Sequence, residues 1–196
     1  MHEPSVLPRL PLRARLAAFG RDEAGTVVAE AVIILPLFIW AYIALFAYWD
    51  SFRSLNTVQK AAFTVSDMIS REQASLSQNY IEGMGQLLDY LIDEDQDAQM
   101  RVTSLTWSAT NNRFEVYWSA SPGNKMAPLT TATLQDLANK IPAMSVGDNA
   151  VIVEVNVPYH PGFDIGLPDT TFHQFVVTRP RFNCISMDNA PCQANA

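Results

Sequence analysis

From Thr26 to Trp49 the chain reads TVVAEAVIILPLFIWAYIALFAYW, 24 residues that carry a single charge, Glu30. As a helix rising about 1.5 Å per residue, this run is roughly 36 Å long, enough to cross a hydrocarbon core of about 30 Å with some tilt. Lipid offers no partners for backbone N–H and C=O groups, so a lone spanning segment must be a helix that closes its own hydrogen bonds. The remainder of the chain is therefore expected to be tethered to a bilayer. Two residues set the run apart from a plain anchor. An ionised Glu30 inside the apolar run costs roughly 2.5 to 3.5 kcal/mol on insertion scales and calls for a partner. Pro36 supplies no N–H and crowds the carbonyl of Val32, which predicts a kink.

Just ahead of this run, Glu23-Ala24-Gly25 leads into Thr26-Val27-Val28-Ala29-Glu30, so a glycine stands five residues before the glutamate at the start of an apolar helix. This resembles the type IV prepilin processing site, and the fuller string GTVVAEAVIILPLFIWAYIALFAYWD, with Pro36 six residues after Glu30, resembles the TadE/TadF pseudopilins of tight-adherence (Flp) pilus systems. The likeness is carried by about residues 20 to 60. Within it, Ala31 follows the glutamate where the family usually has an aromatic, and Thr26 stands where many type IV pilins have Phe. The resemblance implies cleavage after Gly25 by a prepilin peptidase, Thr26 as the new amino terminus, and Glu30 as an assembly residue that pairs with that terminus on a neighbouring subunit. The partners it implies are other pilin or pseudopilin subunits, the inner-membrane pilus assembly platform and membrane lipid. It also implies a pilin-like fold; separately, the sequence shows no catalytic constellation, and no enzymatic activity is expected.

Residues 1 to 25 hold Arg9, Arg13, Arg15 and Arg21, whereas the 20 residues after Trp49 hold only Arg53 and Lys60. By the positive-inside bias, the amino terminus is expected in the cytoplasm and the following domain outside, in the periplasm of a bacterial inner membrane. Pro4, Pro8 and Pro11 argue against a long helix at the start, and residues 1 to 25 read as a leader. A conventional secretory signal is the competing reading, but the apolar run exceeds a typical signal core and no small-x-small site with a polar flank follows it.

The overall mean hydropathy is only +0.03 although 48% of residues are hydrophobic, so the apolar weight is concentrated in this one place. The 147 residues after Trp49 suffice for one domain with its own core. They carry 9 Lys and Arg against 16 Asp and Glu, a net of −7, which argues against a nucleic-acid partner and predicts that the domain stands off anionic headgroups.

Past the run, Leu55, Val58, Ala62, Val65 and Ile69 recur at spacings of three and four, and no Gly or Pro interrupts Leu37 to Glu82. One helix from about Thr26 to Arg71 is expected, its first half in lipid (26–49) and its continuation (50–74) laid on a domain of residues 75–196. Ser75-Leu76-Ser77 signals the start of a second helix, with Leu76, Tyr80, Met84, Leu87 and Leu91 on one face. The acidic run Asp89, Asp93, Glu94, Asp95, Asp97 lacks the Gly and closing Glu of a calcium loop and reads as a solvated helix end.

Residues 101–107 and 113–118 flank an Asn-rich turn and read as a hairpin, with Val102, Leu105, Trp107, Phe114, Val116 and Trp118 as its buried face. A short helix is expected over Thr130 to Ile141, a central strand over Ala150 to Val157, a break at Pro158–Gly162, and a last strand over Thr171 to Thr178. Antiparallel strands behind a long amino-terminal helix make an α+β fold. Cys184 and Cys192, the only cysteines, read in an oxidising compartment as a disulfide that closes the carboxy-terminal loop. Two Cys without nearby His are too few for structural zinc. His160 and His173, with Asp164 and Asp169 between them, are the sole arrangement resembling a metal site; no metal or cofactor is expected, nor any phosphate loop or hydrolase motif. Two functions thus remain: a minor pilin that joins or primes a fibre, and an uncleaved bitopic anchor that presents a binding domain.

Overall fold

A computed structural model describes Arg13 and residues 24–92, 97–163, 165–182, 184–188, 190 and 192. The chain forms two compact units, Met1–Phe46 and Ala47–Ala196. Helix α1 runs from Ala24 to Ser70 with Pro36 inside it. In the first unit its described residues are almost wholly exposed: every side chain from Val27 to Trp40 lies open, Ile33 at 75%. Among the described residues α1 is the one helix long and apolar enough to cross a membrane, and its most apolar window has a mean hydropathy of 2.3.

The second unit is an α+β domain. The spacing that predicts an amphipathic continuation of α1 is realised: Val58, Ala61, Ala62, Val65 and Ile69 are buried on one stripe. α1 ends at Ser70, whose hydroxyl donates to the Asp67 carbonyl. Helix α2 spans Gln78–Ile92 and starts two residues after Leu76, because Ser77 acts as the cap, its hydroxyl accepting the Tyr80 N–H at 3.2 Å. Leu76 is therefore not on the α2 face. It is buried before the helix, paired with Met187 of the carboxy-terminal loop.

Four strands follow: β1 (Gln99–Ser108), β2 (Arg113–Ala120), β3 (Asn149–Tyr159) and β4 (Thr170–Thr178), in the spatial order β2-β1-β3-β4, antiparallel throughout. β3 is an inner strand, in keeping with its apolar run Ala150-Val151-Ile152-Val153, all buried. The expected break at Pro158 is displaced. Pro158 pairs with Thr171 and the strand continues to Tyr159, since a proline near a strand end forfeits only one ladder bond.

The hairpin does not bury one face. β1 and β2 change register between Ser104 and Leu105, where Ser104 pairs with Trp118 but Leu105 pairs with Val116, leaving Tyr117 as the extra residue of a bulge. One inserted residue reverses which side chains face which way. Val102, Trp118 and Ala120 join Val151, Val153 and Val155 in a core beneath α1 and α2. Leu105, Phe114, Ala150 and Ile152 face the other way, into a second core closed by Leu129, Leu134 and Ile141. Those last residues come from a segment in which α3 (Thr131–Leu134) opens with a capping box between Thr130 and Thr133 and then tightens into a 3-10 helix over Gln135–Lys140.

The chain's last part locks the helix layer to the sheet. After β4, the Arg181 N–H donates to the Ser70 carbonyl at 2.9 Å. Leu76 N–H donates to Ser186 O and Asp188 N–H to Leu76 O, both at 2.9 Å. Ile185, itself buried, accepts the Trp118 indole N–H at 2.8 Å, and Cys184 and Cys192 are joined in a disulfide.

Candidate functional site

The residues singled out by the sequence cluster at the start of α1. Gly25 is exposed, and nothing lies within 4 Å of where a side chain at that position would begin. Five residues on, Glu30 projects from a turn whose other side chains, Val27, Val28, Ala31 and Ile34, are apolar and exposed. No described residue shares a hydrogen bond or ion pair with Glu30. A carboxylate in this setting is the one group in the run that can make a directional, charge-assisted bond, so a cation or donor from outside the segment is its natural complement. Pro36 lies about a turn and a half further along, inside the same helix. The main chain of Thr26 belongs to α1. The leader expected over residues 1–25 falls, apart from Arg13, Ala24 and Gly25, outside the described residues.

Other sequence candidates separate from one another. His160 Nδ1 meets Asp169 Oδ2 at 3.0 Å on the surface, while His173 Nδ1 meets Asn156 Oδ1 at 2.7 Å, so the two histidines hold different partners. Asp164 lies outside the described residues, as do Asp93, Glu94 and Asp95. Asp97 pairs with Lys125 at 2.6 Å. Among the described residues no group of three or more His, Cys, Asp and Glu side chains is placed to hold a metal ion.

One arrangement had no mark in the sequence. Asp50, just after the apolar run, accepts a hydrogen bond from the Tyr159 hydroxyl at 3.0 Å across 109 positions. Tyr159 is only 4% exposed and stacks on Phe172 with ring centroids 5.0 Å apart. Burial, and then the Asp50 carboxylate, push its phenol above the ordinary tyrosine value, so it stays a donor. Arg53, one turn along, lies over the Trp49 ring at 5.6 Å.

No protein-family model, curated protein or solved structure matches this chain.

Proposed function

We propose that the chain is a minor pilin or pseudopilin of a tight-adherence type pilus, held in the inner membrane by the first half of α1 with its α+β domain in the periplasm. The observation that carries this reading is the position of Gly25 five residues before Glu30, at the head of a helix whose apolar side chains are exposed. A bitopic anchor needs the apolar helix but has no use for that spacing. Cleavage after Gly25 by a prepilin peptidase would leave Thr26 as the amino terminus. Its α-amino group, with a reference pKa near 8, would be a cation at about the depth of Glu30. Axial separation of about 6 Å between the first and fifth residues of one helix makes the amine of an adjacent subunit the better complement for the carboxylate.

The test is the first residue of the protein recovered from membranes of a cell with an active prepilin peptidase. The expected mature chain begins at Thr26, and Gly25→Val, which crowds the peptidase, is expected to leave the precursor uncut by intact-mass measurement. A wild-type membrane form that begins at Met1 would overturn the pilin reading in favour of the anchor.

A further inference from the structure

The turn of α1 that follows the apolar run forms one wall of a groove of about 350 Å³, lined by Asp50, Arg53, Ser54, Thr57, Tyr90 and Leu91, with the end of α2 as the other wall. A carboxylate and a guanidinium stand three residues apart on this wall, yet they are not joined to each other. Asp50 is instead held in place by the hydroxyl of buried Tyr159. Arg53 has no carboxylate partner among the described residues, and its guanidinium is kept beside Trp49. Ser54 and Thr57 add half-buried hydroxyls, and Tyr90, 73% exposed, adds a phenol at the rim. On the same stretch of helix Tyr48, Trp49 and Phe52 lie exposed, a cluster of the side chains that concentrate at the level of lipid headgroups.

We infer that this groove binds the headgroup of a phospholipid carrying both a phosphate and a primary ammonium, of the phosphatidylethanolamine class. Arg53 takes the phosphate as a charge-assisted donor, with the hydroxyls of Ser54 and Tyr90 beside it. Asp50, its other oxygen engaged by Tyr159, takes the ammonium. The start of the acyl chains then lies against the exposed rings of Tyr48, Trp49 and Phe52. The charge order explains the choice of lipid. A phosphatidylglycerol headgroup brings no cation to Asp50, and a choline headgroup has no N–H to donate to it. The inference rests on the membrane-spanning part of the proposed function.

The experiment uses the full chain in nanodiscs containing equal parts of dioleoyl phosphatidylethanolamine, phosphatidylcholine and phosphatidylglycerol, with the retained lipids counted by native mass spectrometry. Phosphatidylethanolamine is expected to be retained over the other two, and Arg53→Gln and Asp50→Asn are each expected to reduce that preference by about tenfold, the usual weight of one hydrogen bond to a charged group. Lys60→Gln, an exposed cation outside the groove, is expected to change nothing. Equal retention of the three lipids by a chain that resists alkaline extraction overturns this inference alone; free phosphoethanolamine in excess, which carries the same two groups, is expected to compete. Extraction of the chain at alkaline pH overturns the membrane reading and this inference with it.

Discussion

Gly85 shows how a single missing methyl group sets the packing of α2. A Cβ at this position would lie 2.7 Å from both Cβ and Cγ of Pro122, inside any tolerable contact, and Pro122 sits at the start of a short 3-10 turn that cannot slide freely. Gly85→Ala is therefore expected to destabilise the domain by about 1–3 kcal/mol despite the better helix propensity of alanine, read as a lowered urea midpoint. Gly83, two residues away with open space around it, is the control that tolerates alanine. Asp67 gives the domain part of its acid sensitivity. The Arg71 guanidinium at 2.7 Å, and after it that of Arg181 at 2.8 Å, hold its carboxyl below the ordinary value. A carboxylate whose folded pKa is depressed contributes stability that is complete above its unfolded pKa and is lost as pH falls through the folded one. The expected loss begins near pH 4, and Asp67→Asn should make the fall in urea midpoint between pH 5 and pH 2 shallower. An unchanged slope would show that the Asp67 pairs are neutral in the fold.

Elements were legible where a period reports burial directly. The three-and-four spacing of Val58, Ala62, Val65 and Ile69 places the α1 stripe, and the apolar run from Ala150 to Val153 marks a strand covered on both faces. What stayed hidden depends on partners far along the chain. The bulge at Tyr117 leaves no mark because an inserted residue looks like any other residue of a strand, so Phe114, Val116 and Trp118 appeared on one face. Leu76 fits a helical face by spacing, yet its backbone is claimed by Ser186 and Asp188. The start of α1 was readable from the onset of the apolar run at Thr26 because that signal is local, whereas the bond between Asp50 and Tyr159 spans 109 positions and was not. The cysteine pair was readable because two cysteines allow a single pairing. Its loop is small, so closing it removes only about 2–3 kcal/mol of unfolded-state freedom, and the effect of Cys184→Ser is expected to be regional. Hydrogen exchange should show protection falling at the amides of Leu76 and Asp188 while that of β3 is kept; uniform loss across the sheet would contradict this.

For the whole molecule, the proposed function makes Glu30 matter only in company. Removing a charge from the apolar run lowers the cost of insertion, so Glu30→Ala is expected to enter membranes at least as well as the wild type and still be cut after Gly25. It is also expected to lose association with neighbouring subunits, measured as crosslinking from Val27 in membranes. Unchanged crosslinking would leave Glu30 a residue that merely reaches for the aqueous interface.

The contacts that seal the domain join its first helix, and the connection that follows it, to its last residues: Ser66 with Thr178 and Asp67 with Arg181 from the helix, Leu76 with the loop from Ser186 to Asp188 from the connection. Synthesis delivers the chain from its amino terminus, so the apolar stripe of α1 emerges long before the segments that cover it. Between Ile69 and Arg181 more than a hundred residues must appear before the seam can close, although α2 and β1, which share the core with Val58, Val65 and Ile69, emerge much earlier. The domain is thus built to close last at its seam, and the interval before closure is when a holding partner would find its binding surface.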